Sequence, residues 1–194
     1  MMNKSAKLLI VEDDDLRVEP LTGRGQFTVG RAGGRADIPL NSLYVSHEQG
    51  SLRNVEGYWF YTDDPQNRNQ TRYNGAVISR PMKRLRQPIA IHSGDVLRVD
   101  SAPWQERSGE GSVLLFLEEE NIPPLRLTVL PQRDLPLGHG AALRFLNGGY
   151  YVTGKAVRMS GEPLPEPTLL REGDRFSAEK RQWFYLGEYL IGTT

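Results

Sequence analysis

No cysteine occurs among the 194 residues, which excludes disulfides, thiolate metal ligands and a cysteine nucleophile. Net charge is also missing: 24 Lys and Arg balance 24 Asp and Glu. The total therefore gives no pull toward nucleic acid or an anionic membrane surface. No apolar run approaches the roughly 18 residues that suggest a membrane-spanning helix. The early stretch Leu8-Leu9-Ile10-Val11 runs into acids and is far too short for a signal-peptide core. A cytoplasmic protein without nucleic-acid or membrane partners is the expectation. Missing, finally, is any window of a dozen residues with a helical apolar period.

What remains is β signal. Leu8–Val11, Phe27–Val29, Ser51–Arg53, Tyr58–Thr62, Val96–Val99 and Val113–Leu117 are short β-branched or aromatic runs, mostly parted by Gly, Asn, Asp or Pro. Asn74-Gly75 marks a hairpin, because a type I′ turn needs positive φ at both central residues. Ser93-Gly94-Asp95 marks a second turn. The acids and diproline of Glu118-Glu119-Glu120-Asn121-Ile122-Pro123-Pro124 read as a boundary. The predicted division is a β domain over 6–118, a linker over 119–124 and a small β domain over 125–194. In the latter, Leu125–Leu130, Ala142–Leu146, Tyr150–Thr153 and Trp183–Leu186 read as strands and Pro163–Pro167 as a loop. Two echoes link the halves: Gly57-Tyr58-Trp59 with Gly149-Tyr150-Tyr151, and Gly94-Asp95 with Gly173-Asp174. A degenerate duplication would explain them; unrelated hairpins are the simpler account.

Three motif-like stretches are set aside. Lys7 to Asp14 looks like the first strand and acidic cluster of a receiver domain, but no amphipathic helix follows, so the acids read as a solvated loop. Gly149 to Lys155 has P-loop spacing, yet its interior is bulky strand formers and Ala156 stands where a hydroxyl is needed. His47, His92 and His139 lie far apart in sequence without further ligands at metal spacing, and no hydrolase elbow accompanies Ser46-His47. No catalytic residue, metal or cofactor is expected.

Charge is uneven along the chain. Residues 24–100 hold eleven Lys and Arg against seven Asp and Glu, a local +4, which suits an anionic ligand. Within that stretch, Phe27-Thr28-Val29-Gly30-Arg31, Val45-Ser46-His47 and Asn69-Gln70-Thr71-Arg72-Tyr73-Asn74-Gly75 place an arginine, a hydroxyl and an asparagine amide on three loops. A guanidinium fork and a hydroxyl suit a phosphate dianion; an asparagine amide suits an extended peptide backbone.

In order and spacing, with Asp37-Ile38-Pro39-Leu40, the aromatic run Tyr58–Tyr61 and Gly94-Asp95-Val96-Leu97, these pieces resemble a forkhead-associated (FHA) domain. The resemblance covers roughly 6–118. It implies an all-β, FHA-like β-sandwich that recognises phosphothreonine peptides in a Ser/Thr kinase pathway. The kinase is a possible further partner. By position, Arg31 and Ser46 correspond to phosphate-binding residues and Asn69 to the residue that holds the peptide backbone. His47 and Arg68 correspond to further phosphate contacts, and Tyr44 to a reader of the residue three after the phosphothreonine. Gly30, Gln49, Thr71, Asn74 and Gly75 correspond to scaffold. Gln49 stands where the family has a structural histidine, and Gln70 where it has glycine after the asparagine. The alternative, from another class, is the same fold serving as a phosphate-independent structural or assembly module. The second domain carries no motif; an interaction or dimerisation platform is the expectation for it.

Overall fold

The computed structural model describes residues 5–67, 69–79, 87–100, 111–118, 123–164 and 166–194, and every regular element among them is a strand. The chain divides into two compact units, Met1–Asn121 and Ile122–Thr194.

The first unit is a sandwich of two sheets. One runs β2 (Asp15–Leu21), β1 (Ala6–Glu12), β11 (Ser112–Leu117), β10 (Val96–Asp100), β7 (Gln70–Tyr73), β8 (Ala76–Ser79). The other runs β4 (Ile38–Leu40), β3 (Gln26–Arg31), β5 (Gly50–Val55), β6 (Tyr58–Asp63), β9 (Ile89–Ile91). Neighbours are antiparallel except β3 and β4, where Val29 pairs with Ile38 in parallel. The period-2 rule sorts the side chains. Phe27, Val29, Leu52, Trp59 and Tyr61 point inward from one sheet and meet Leu8, Ile10, Leu97, Val99, Leu114 and Phe116 from the other. Trp59 is the keystone, its ring centroid 6.1 Å from that of Phe27 and 5.9 Å from that of Phe116.

The second unit has one sheet running β12 (Leu125–Val129), β21 (Tyr189–Thr193), β20 (Arg181–Tyr185), β19 (Arg175–Ala178), β16 (Val157–Met159), β17 (Glu162–Pro163). Its partner sheet runs β13 (Leu135–Gly138), β14 (Ala141–Leu146), β15 (Gly149–Thr153), β18 (Thr168–Leu169). Leu143, Val152, Val157, Phe176 and Trp183 fill its core, with the Phe176 and Trp183 rings stacked at 5.4 Å.

Position by position, these two sheets repeat the first unit. The order β12-β21-β20-β19-β16-β17 matches β2-β1-β11-β10-β7-β8, and β13-β14-β15-β18 matches β3-β5-β6-β9. Only β4 lacks a counterpart among the described residues, and the chain is cut elsewhere. The first unit joins β1 to β2 through the left-handed pair Asp13-Asp14. In the second unit the strands in those places, β21 and β12, are the last and the first. The turns agree as well. Glu56-Gly57 (φ 55° and 92°) corresponds to Asn147-Gly148 (51° and 78°), and Asn74-Gly75 (47° and 79°) to Ser160-Gly161 (52° and 85°).

The strongest agreement is at Gly-Asp. Gly94 N–H donates to Phe116 O, Phe116 N–H to Asp95 O, and Asp95 N–H to His92 O. His92 N–H returns to the Asp95 carboxylate at 2.7 Å. Gly173, Tyr185, Asp174 and Arg171 make the same four bonds, the last at 2.7 Å. Thus the Gly-Asp echo lies at equivalent places in one permuted topology, and for that pair the account by unrelated hairpins is corrected. The aromatic echo is out by one residue: strand pairing aligns Trp59, opposite Ile91, with Tyr150, whose carbonyl accepts from Leu170 N–H.

A second correction concerns the acids after β1. Asp13 and Asp14 form an exposed turn, but Glu12 is buried at 7% exposure. Its Oε1 accepts from Asn41 N–H at 2.8 Å, Ser42 N–H at 3.2 Å and Ser112 Oγ. Three donors compensate for its lost water, which a count of acids in a run does not reveal. The strand β2 likewise escaped the pattern, because this edge strand leaves Val18 and Pro20 exposed and half-buries Arg17 and Glu19, the reverse of an apolar-in alternation.

Candidate functional site

The loop-bearing end of the first unit gathers most of the residues singled out in the sequence. Arg31 ends β3. The segment between β4 and β5 supplies Ser46 and His47, and the segment between β6 and β7 supplies Asn69. Arg31, Ser46, His47 and Asn69 line one open depression of about 560 Å³, together with Leu43, Val45, Glu48 and Gln66. Tyr44 is half-buried and is not part of this lining; its neighbour Leu43, 81% exposed, is. Arg68 lies outside the described residues.

Glycine makes the approach of β3 to the next loop feasible. A Cβ on Gly30 would stand 2.1 Å from the His47 carbonyl oxygen. That close passage lets Arg31 N–H donate to Ser46 O at 2.9 Å, so backbone alone fixes the arginine beside the serine. At the side chains, Arg31 Nη2 meets His47 Nε2. A guanidinium only donates, so the imidazole accepts there and carries its own proton on Nδ1. Asn69 Nδ2 donates to Ser46 Oγ at 2.9 Å, and Ser46 Oγ donates to Asn67 Oδ1 at 3.0 Å.

Below the depression runs a buried polar chain. Gln49, fully enclosed, accepts Ser46 N–H at Oε1 (3.2 Å) and donates from Nε2 to Thr71 Oγ1 (3.2 Å). Thr71 Oγ1 donates to Asp63 Oδ1 at 2.9 Å, and Tyr61 OH donates to the same oxygen at 2.7 Å. Burial first, and the adjacent Asp63 carboxylate second, push the Tyr61 hydroxyl well above its ordinary range, so it stays a donor. Gln49 therefore sits where a loop-bracing group is needed and ties the serine segment to β7.

The other scaffold positions have equally local causes. Asn74 bonds Val96 N–H through Oδ1 at 2.8 Å and donates to Asp95 at 2.9 Å, clamping the hairpin to β10. Gln70 opens β7 as ordinary extended backbone, and its buried amide faces the Arg72 guanidinium at 3.0 and 3.1 Å. On the far side of β3, Asp37 accepts from Thr28 N–H at 2.9 Å and Thr28 Oγ1 at 2.8 Å. These bonds, with Arg24 nearby, hold its carboxyl below the usual value.

An arginine fork, a hydroxyl and a carboxamide set around an open, loop-borne hollow on a β-sandwich describe a surface suited to recognition of an anionic chain. Residues 27–100 match the family described as the FHA domain, and the first unit contains such a domain.

Among solved structures, the chain is similar to the yeast splicing factor Pml1, at 24% identity over 60% of this chain and 83% of that one, with a TM-score of 0.47. It is also similar to the FHA domain of a hypothetical protein from Arabidopsis thaliana (18% identity, 64% and 93% covered, TM-score 0.49). A third is the N-terminal FHA domain of S. cerevisiae Rad53p in complex with a phosphothreonine peptide (15% identity, 60% and 94% covered, TM-score 0.46). No curated protein matches the chain.

Pattern reading missed Asn67, Leu43 and Glu12. Asn67 stands two places before Asn69 with no spacing rule to mark it, Leu43 is a lone apolar residue in a polar loop, and Glu12 was hidden among acids. Only the burial pattern distinguishes them.

Proposed function

We propose that the first unit is a non-enzymatic binding module for phosphothreonine-containing peptides, acting in the cytoplasm within a Ser/Thr kinase pathway. One observation carries this reading: Arg31, Ser46 and Asn69, from three segments far apart in sequence, line a single open depression. Arg31 supplies the fork for the phosphate, Ser46 a hydroxyl donor, His47 a second nitrogen donor when protonated, and Asn69 an amide for the peptide backbone. Leu43 offers an apolar contact to a flanking side chain.

The test is titration with a phosphothreonine peptide pool, its unphosphorylated twin, and Arg31→Ala. A charge-assisted hydrogen bond contributes about 1.5–3 kcal/mol, so the variant should bind at least about tenfold more weakly. Equal affinity for phosphorylated and unphosphorylated peptide refutes the reading.

A second reading has an observation in its favour. Arg31 already meets His47, and Ser46 already bonds Asn69 and Asn67, so each phosphate-facing group has an internal partner. A phosphate-independent assembly module on the same fold would keep those contacts in its complexes. A partner captured equally by wild-type protein and Arg31→Ala marks that outcome.

A further inference from the structure

Beneath the depression, Asn67 is fully buried. Its Oδ1 accepts two hydrogen bonds, from Ser46 Oγ at 3.0 Å and from Asn69 N–H at 2.8 Å. Asn69 Nδ2 donates back to Ser46 Oγ at 2.9 Å, which closes a ring of three residues through two side-chain bonds and the Asn69 backbone N–H. The backbone N–H of Asn67 donates to Asp64 O at 3.1 Å, anchoring the residue to the end of β6. Its Nδ2 is buried and finds no hydrogen-bond partner among the described residues.

We propose that Asn67 is a positioning residue for the phosphopeptide site, setting the Ser46 hydroxyl and the Asn69 loop in one geometry before ligand arrives. This rests on the function proposed above.

The chemistry is specific to a carboxamide. Ser46 and Asn69 belong to different segments, and one amide oxygen with two lone pairs serves a donor from each. A hydroxyl has a single proton, and in the free protein Ser46 donates it to Asn67. When a phosphate dianion enters, the hydroxyl rotor turns toward it, because a charge-assisted bond is the stronger one. Asn67 then keeps the Asn69 N–H, so the loop stays formed while the serine changes partner. Asn67 thus acts without touching the ligand. Alanine there leaves Asn69 N–H without its acceptor and unties the two segments, so the ligand must order them at a cost in affinity.

The experiment is a double-mutant cycle on the whole chain: Asn67→Ala, Ser46→Ala and both together, each titrated with the same phosphothreonine peptide pool. Asn67→Ser is included because a serine hydroxyl reproduces the turn to the second-following N–H, more weakly. Asn67→Ala should weaken binding by about three- to tenfold, the loss of roughly one hydrogen bond. In the Ser46→Ala background the same change should cost less than about twofold, since half of what Asn67 positions is gone. Asn67→Ser should recover part of the loss. Unchanged affinity in Asn67→Ala, or strictly additive effects, overturns the positioning role and leaves the proposed function standing. If Asn67→Ala does not fold, Asn67→Ser carries the test: wild-type affinity together with additivity against Ser46→Ala overturns the role. A wild-type protein that binds no phosphothreonine peptide overturns both.

Discussion

Gly30→Ala is the sharpest probe of how backbone packing builds the site. The added methyl would lie 2.1 Å from His47 O and 3.0 Å from its carbonyl carbon. An ordinary carbon–oxygen contact is about 3.3–3.6 Å, so the loop must retreat by more than about 1 Å. That retreat breaks the bond from Arg31 N–H to Ser46 O, worth about 0.5–1.5 kcal/mol. Overpacking adds about 1–3 kcal/mol. The combined loss of about 1.5–4.5 kcal/mol is less than a typical domain stability of about 5–15 kcal/mol, so the sandwich should still fold. Binding should suffer more than the fold: with Ser46 and His47 displaced from Arg31, affinity for a phosphothreonine peptide should fall at least about tenfold, the loss of one charge-assisted bond. Calorimetric titration reads the affinity and urea denaturation the stability. Gly25→Ala is the control, because a Cβ there meets only Asn54 O, at 3.9 Å. If Gly30→Ala melts and binds like Gly25→Ala, the close passage of β3 beneath the loop is not what sets the site.

The remaining predictions concern protons and the ligand. Asp37 has its carboxyl value lowered, chiefly by Thr28. Its stabilisation is therefore fully present above the unfolded value near pH 4 and is lost as pH falls through the folded one. Asp37→Asn should destabilise the protein at neutral pH, and the gap to wild type, measured by denaturation, should close only in strong acid. His47 accepts from Arg31, so removing that acceptor in His47→Ala should change phosphopeptide affinity, read by calorimetric titration. Affinity equal to wild type would exclude the contact. Phosphothreonine should bind about four- to tenfold more tightly than phosphoserine if the methyl finds an apolar notch, since a buried methyl-sized group contributes about 0.8 kcal/mol and a β-branched side chain has fewer rotamers to lose. Equal affinity in matched peptides would rule the notch out.

The parts of this molecule that a sequence displays are those whose cause is local. Asn74-Gly75 forms the left-handed pair its residue types require, and the inward alternation of Phe27, Val29, Leu52 and Trp59 follows from period two. The loops around the depression were legible because Gly-Arg, Val-Ser-His and the asparagine loop keep characteristic residues at characteristic spacing. What was hidden depends on contacts distant in the chain. Glu12 could not be separated from Asp13 without knowing that Asn41, Ser42 and Ser112 converge on it. Asn67 gains meaning only once Ser46 lies 3.0 Å away. The shared topology of the two units was illegible because strands such as Glu162–Pro163 and Thr168–Leu169 span two residues each and carry no period at all.

The permuted order of the second unit bears on how each sandwich assembles. In the first, β1 finds β2 across a two-residue turn, Glu12 opposite Asp15, a contact that can form as soon as both strands exist. In the second, the strand in that place is β21, and it pairs with β12 from Leu125 opposite Thr193 to Val129 opposite Tyr189. Closing that pair means bringing together the two extremities of the unit, an entropic cost that local hairpins avoid. In both units the last strand is interior to its sheet: β21 lies between β12 and β20 and contributes Leu190 to the core, and β11 lies between β1 and β10 and contributes Leu114 and Phe116. Each sandwich thus gives this strand one local hairpin and one pairing that joins the ends of its unit, and the permutation exchanges the two: β1 meets β2 locally and β11 from afar, whereas β21 meets β20 locally and β12 from afar.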